Sequence, residues 1–272
     1  MSTNYFMGRT VLITGASAGL GYEFARQLAP VVSTIVLTAR RNDRLETLES
    51  ELNVINPKLK LFSHALDLRD KDELERFCDW LDKSGLVIDL LINNAGLGDH
   101  GPFANSAWAR VNSMLQVNVY ALTYLIFRLL PCMRKAGRGA ILNVSSIASL
   151  LPLPNNAVYA ATKAYVTSFS EALRAELRSS KISVTALCPG PVSTEYLSNA
   201  TRAGDREGHT APNFFLVSVQ EVVRQGLRAT AKDRARVIPG GIVNLAMTVI
   251  AFLPMFIKRL VYSAKLKRRQ VP

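Results

Sequence analysis

Short apolar runs alternate with amphipathic stretches along the chain. Residues 10–14 (Thr-Val-Leu-Ile-Thr) are a β-branched run bounded by glycine, the mark of a buried strand. Helical periodicity follows over 19–29 and stops at Pro30. Further strands are predicted over 34–38, 59–65, 87–92, 140–144 and 183–187, with a short seventh at 236–238. Helices are predicted over 43–53, 71–83, 106–135, 157–179 and 219–231. In the first of these, Leu45, Leu48 and Leu52 form one stripe behind an Asn/Asp cap signal. Strands alternating with helices of about ten residues or more imply a parallel sheet covered on both faces. With right-handed crossovers the fold class is α/β, a doubly wound parallel sheet of the Rossmann type.

Composition supports that architecture and narrows the function classes. Apolar residues make up 49% of the 272, enough to cover both faces of a buried sheet. No linker, repeat or low-complexity stretch divides the chain, so one large domain with a C-terminal appendix is expected. Cys78, Cys132 and Cys188 are scattered, which disfavours a disulfide scaffold and points to a reducing, cytoplasmic setting. Residues 1–9 lack the apolar core of a secretory signal. No uninterrupted apolar run reaches about 18 residues, which argues against an ordinary transmembrane helix. The formal charge of +12 is unevenly placed: after Asp233 there is no acid, while Arg234, Arg236, Lys258, Arg259, Lys265, Lys267, Arg268 and Arg269 follow. Such basicity suits nucleic acid, anionic lipid or an acidic ligand, or is a solvated tail. Zinc-ligand spacing, RNA-binding aromatics and a basic recognition helix are all missing, so neither metal nor nucleic acid is an expected partner.

Between the first strand and the first helix lies Thr14-Gly15-Ala16-Ser17-Ala18-Gly19-Leu20-Gly21. Glycines let the backbone turn tightly and approach a ligand, and a helix N-terminus presents unpaired N–H groups to a pyrophosphate. The spacing differs from the common dinucleotide fingerprint, and glycines also mark any sharp turn. Placement straight after the first strand favours a bound nucleotide. The second strand ends in Ala39-Arg40-Arg41, with no acid to hold the ribose 2′-hydroxyl of NAD. A guanidinium matches a 2′-phosphate, so NADP(H) is the expected cofactor; two surface arginines on a loop are the alternative.

Tyr159 and Lys163 stand at i and i+4, on one face of a predicted helix, thirteen positions after Ser146. A phenol ordinarily titrates near ~10. A neighbouring cation favours the phenolate, which makes Tyr159 a candidate general acid/base. Hydride addition to a carbonyl carbon builds negative charge on oxygen, and Ser146 is the candidate donor to hold it. Ser145 competes, but adjacent strand positions face opposite ways, so only one can serve.

Taken in order, TGASAGLG at 14–21, Asp67-Leu68, Asn93-Asn94-Ala95-Gly96, Asn118, Ser146, Tyr159-xxx-Lys163 and Pro189-Gly190 resemble the short-chain dehydrogenase/reductase family over roughly residues 8–240. The sub-pattern looks most like a bacterial reductase group loosely named after DltE, and is also similar to ketoacyl and hydroxysteroid reductases. The resemblance implies that Gly15, Ser17, Ala18, Gly19, Leu20 and Gly21 cradle the cofactor phosphates. It implies that Asp67 and Leu68 meet the adenine, and that Asn94, Ala95 and Gly96 line the adjoining ribose, with Asn93 also bracing the central strand. Pro189, Gly190, Val192 and Thr194 would frame the nicotinamide, and Lys163 would bond its ribose hydroxyls. Asn118, in an apolar stretch, would bend its helix and hold a water in a relay to Lys163; a purely structural network is the alternative. One departure is Ala29-Pro30-Val31-Val32-Ser33, where the family usually ends its first helix in glycine.

The implied activity is NADP(H)-dependent interconversion of a carbonyl and an alcohol, with a non-catalytic NADP sensor or scaffold as the alternative. A sensor has no need of a proton donor. The expected domain spans 1–239, with a substrate lid over 191–217. Tyr196, Leu197, Phe214, Phe215 and Leu216 in the lid, with the apolar 149–154 segment, point to an apolar substrate. Residues 240–272 form the appendix. Its apolar 242–257 segment would span ~24 Å as a helix at ~1.5 Å per residue, short of a ~30 Å bilayer core. It is expected to lie on the inner face of an anionic membrane through 242–269, or to pack on the domain or a second subunit. The resemblance also implies a homodimer or homotetramer.

Overall fold

The computed structural model describes residues 3–192, 200, 202, 216–254 and 256–257. Seven strands are found among them: β1 (Thr10–Thr14), β2 (Thr34–Ala39), β3 (Lys60–Ala65), β4 (Leu90–Asn93), β5 (Gly139–Val144), β6 (Ile182–Leu187) and β7 (Arg236–Val237). All pairings are parallel, in the order β3-β2-β1-β4-β5-β6-β7. The order reverses direction between β1 and β4, and the crevice at the carboxyl ends of those strands is where this topology binds ligands.

The connecting helices are α1 (Thr3–Phe6), α2 (Gly19–Leu28), α3 (Asn42–Ile55), α4 (Lys71–Ser84), α5 (Trp108–Leu115), α6 (Leu122–Ala136), α7 (Ala157–Glu176), α8 (Val219–Ala231) and α9 (Gly241–Phe252). Strand residues alternate between two apolar layers. Val11, Ile13, Ile35 and Leu37 pack with Phe24 and Leu28 of α2, Leu48 of α3 and Val223 of α8. Leu12, Val36 and Leu91 face Leu74 and Phe77 of α4, Leu125 of α6 and Val166 of α7. Buried apolar area on both faces is the main driving force for this arrangement.

Differences from the predicted spans have local causes. The fourth strand starts at Leu90 rather than residue 87, and just before it the buried Asp89 carboxylate accepts from Thr10 N at 3.0 Å and Arg138 Nε at 2.8 Å. The predicted 106–135 helix is interrupted by a π-helical segment, Gln116–Ala121, centred on Asn118. At the missing glycine after α2, Asn56 Nδ2 donates to Ala29 O at 2.8 Å and satisfies the exposed helix end. Helix α7 stops at Glu176, and a short turn, Arg178–Ser180, completes the predicted span. By length and composition the helical run Trp108–Ala136 could cross a membrane, although it contains no uninterrupted apolar run of about 18 residues. Here it packs Leu122, Leu125, Ile126, Leu129 and Met133 into the second layer, as the core helix of an α/β domain does. Thr194, most of the expected 191–217 lid and the basic residues from Lys258 onward lie outside the described residues.

Candidate active site

The carboxyl ends of β5 and β6 run side by side and deliver the catalytic candidates. Ser145 N donates to Leu187 O at 2.7 Å, and Ile147 N to Pro189 O at 3.0 Å, which ties Ser146 to the Pro189-Gly190 turn. Ser146 opens a short 3₁₀ turn, Ile147–Leu150, and its Oγ accepts from Ala148 N at 3.1 Å. Ser145 is spoken for elsewhere. It is buried, donates to Lys163 O at 2.9 Å and lies 2.7 Å from Thr167 Oγ1, so it anchors α7 to the sheet and leaves Ser146 as the reactive serine candidate.

On α7, Tyr159 and Lys163 follow one another by a single turn, with Lys163 Nζ 5.9 Å from the Tyr159 ring centroid. Lys163 is buried and donates to Val144 O at 2.8 Å. Removal from water disfavours the charged ammonium and lowers its pKa to about 8. A Cβ on Gly96 would sit 3.2 Å from Lys163 Nζ and 3.5 Å from Asn118 Oδ1, so the strand-end loop passes close beside the lysine. Asn118 is held at three points: its Oδ1 accepts from Leu97 N at 2.8 Å, and its Nδ2 donates to Leu97 O at 2.9 Å and Thr162 Oγ1 at 3.0 Å. The π segment gives Asn118 this reach, joining the loop after β4 to α7 beside Lys163.

The glycine turn after β1 is built for close approach. Gly15 and Gly19 hold φ of +66° and +57°, and a Cβ on Gly21 would fall 2.8 Å from the Gly15 carbonyl carbon. Ala18 gives α2 no side-chain cap, so the first N–H groups of α2 face the turn unsatisfied by it. Asn94 proves to be the brace of this turn, its Nδ2 donating to Thr14 O at 2.9 Å and Gly15 O at 3.1 Å. Arg41 reaches across from the end of β2 and donates to Ser17 Oγ at 3.3 Å, joining guanidinium and turn. The cradle, the uncapped helix end and the arginine fit a phosphorylated dinucleotide. Asp67 lies at the same end but is paired with Arg69, which holds its carboxyl below the usual range, with a smaller pull from Arg40. Leu68 turns its side chain into the second apolar layer, leaving only backbone groups for a ligand.

A family model described as short chain dehydrogenase matches residues 9–204. The chain belongs to the short chain dehydrogenase family. This short chain dehydrogenase is 32% identical over 227 residues to a ketoacyl reductase, HetN, of Nostoc sp., across 84% of this chain and 76% of the relative. It is 33% identical over 215 residues to an NADP-dependent 3-hydroxy acid dehydrogenase, YdfG, of Salmonella typhi, across 78% of this chain and 85% of the relative. A solved short-chain dehydrogenase from Sphingobium yanoikuyae in complex with NADPH superposes with a TM-score of 0.80 at 30% identity, covering 89% of this chain and 92% of that one. The chain is an oxidoreductase acting on CH–OH groups.

Several residues that build this short chain dehydrogenase site escaped the sequence reading. Thr14 Oγ1 accepts from Asn94 N and Ala95 N, each at 3.1 Å, and so fixes the loop carrying Asn94-Ala95-Gly96. Thr162 and Thr167 hold Asn118 and Ser145, and Asn143 links Asn93 at 3.0 Å to Ser170 at 2.9 Å through the buried sheet. Asn143 carried a signal, as a single polar residue inside an apolar run that needs a buried partner, whereas Thr162, Thr167 and Ser170 stand beside other polar residues and carried none. Cys188, buried beside Thr167, has its thiol pushed up by burial, away from the range of a reactive thiolate.

Proposed function

We propose that this chain is an NADP(H)-dependent reductase that interconverts a carbonyl with a primary or secondary alcohol on an apolar substrate. The substrate class is a 3-oxoacyl chain, a steroid-like ketone or a long-chain aldehyde. The observation that carries this reading is the buried Lys163 one turn from Tyr159, at the strand end that presents Ser146. In this reading the Ser146 hydroxyl holds the substrate oxygen and stabilises the charge that develops on it. Tyr159 gives that oxygen its proton in reduction and takes it back in oxidation. Lys163, in its ammonium form, favours the tyrosinate and orients the cofactor ribose. Asn118 bends its helix and holds a water in a relay to Lys163, or acts through Lys163 only by fixing the loop and helix around it. When bound, the nicotinamide supplies or accepts the hydride. Arg40, Arg41 and Ser17 hold the 2′-phosphate, the turn from Gly15 to Gly21 the pyrophosphate, and Asp67, Leu68, Ala95, Gly190 and Val192 the flanking rings. The NADP-named relative and the NADPH-bound neighbour support the cofactor choice.

The DltE-like subgroup, a cytoplasmic location and the division into a 1–239 catalytic domain and a 240–272 appendix belong to the same proposal. So does a homo-oligomer formed through the long helices. A panel of apolar ketones and aldehydes assayed with NADPH and NADH in parallel tests it. Turnover with a marked NADPH preference is expected. Comparable use of NADH would remove the argument from Arg40 and Arg41, and an unchanged Tyr159→Phe variant would remove the mechanism.

A further inference from the structure

Helix α9 is apolar on nearly every side. Val243 and Met247 are buried and Ala246 and Ile250 half-buried, and the helix lies against the Ile147–Leu150 turn that follows Ser146. The other side carries Ile242, Leu245, Val249 and Phe252, exposed by 61%, 68%, 57% and 85%, and Phe256 extends the row beyond Pro254 at 63%. Steps of three, four and three residues place the four residues of α9 along one stripe. A contiguous apolar stripe of this kind marks a surface that is covered in use. Gly240, with φ +86°, makes the bend into α9, where a Cβ would strike Val217 at 2.7 Å.

We propose that this stripe docks the protein on an anionic lipid bilayer. The inference goes beyond the oxidoreductase reading and does not depend on it. At 12 residues, α9 is ~18 Å long and too short to span a ~30 Å hydrocarbon core, so it lies in the interface. The sequence beyond it, 258–272, holds Lys258, Arg259, Lys265, Lys267, Arg268 and Arg269 and no acid. Each Lys or Arg beside an anionic leaflet strengthens attachment about fivefold. Docked this way, the turn after Ser146 sits next to the membrane, where an apolar carbonyl would dissolve.

Flotation of the full chain with mixed phosphatidylglycerol–phosphatidylcholine vesicles tests the docking, with phosphatidylcholine vesicles alone as the comparison. Partition on the anionic vesicles is expected, weakened by high salt. The Leu245→Glu/Val249→Glu variant is expected to lose about tenfold or more, and Leu245→Ser/Val249→Ser, which adds no charge, to lose several-fold. Thermal unfolding establishes that each variant is folded; where the Glu pair is not, the Ser pair decides. Failure of the native chain to float overturns the proposal, as does equal flotation of native and folded variant. So does a variant that changes the mass in solution while leaving flotation intact, which would make α9 a subunit interface.

Discussion

Burial of the Lys163 ammonium lowers its pKa from 10.5 to about 8, with Val144 O as its 2.8 Å acceptor. The unfolded chain keeps this proton up to about 10.5 and the folded chain only to about 8, so between these values unfolding takes up a proton and stability rises with pH. Below about 8 both states are charged and the full burial penalty is present. The unfolding free energy of the native chain minus that of Lys163→Met is therefore expected to be flat below that point and to climb above it, as read by urea unfolding from neutral to alkaline pH. Tyr159→Phe should keep cofactor affinity, read by NADPH fluorescence, while turnover falls by about 10²–10⁴-fold. Arg41→Ala should raise KM for NADPH about tenfold or more with little change for NADH, since a charge-assisted contact to phosphate is lost. Tyr159, Lys163 and Ser146 were legible as candidates because the chemistry proposed for them resides in their side chains. Asn94 was legible only as a position. Its brace on Thr14 O and Gly15 O depends on the pairing of β1 with β4, which brings residues about 80 apart into contact.

At the scale of elements, the strands and helices followed from periodicity, because burial on both sheet faces leaves long apolar runs and stripes. What escaped was set by single polar groups and backbone geometry. Asp89 ties the start of β4 to Thr10 and Arg138, and the Asn118 amide in the π segment meets Leu97 and Thr162, partners distant in sequence. The α2 turn is the element most exposed to a small change. Gly21→Ala would place its methyl 2.8 Å from the Gly15 carbonyl carbon and 2.5 Å from Asn94 Nδ2. Backbone and brace would have to move together, at a cost of about 1–3 kcal/mol. A lower melting temperature is expected, with a further loss of the NADPH-induced rise in melting temperature, because the same shift opens the phosphate cradle.

At the scale of the whole molecule, the faces left apolar tell how the domain meets its surroundings. Besides α9, the long helices carry Trp108 and Phe127, each 70% exposed, with Tyr120 and Tyr165 both at 37%. Aromatic residues on a surface are characteristic anchors of protein interfaces, and a helix pair offers the same patch to a second copy about a two-fold axis. The uneven charge was legible in the sequence, but which helix face remained open required the packed domain, since apolar spacing is the same on a covered and an uncovered side. A homo-oligomer built on α5 and α6 predicts a mass in solution that is a multiple of the chain. Phe127→Glu should then shift light scattering toward the monomer without lowering the melting temperature of the monomeric domain, because the side chain makes no part of either apolar layer. An anchor of this kind contributes about 2 kcal/mol or more, enough to move the dissociation constant by over tenfold. Should the mass stay unchanged while Leu245→Glu/Val249→Glu splits the assembly, the subunits would instead meet through α9, and the long helices would face solvent.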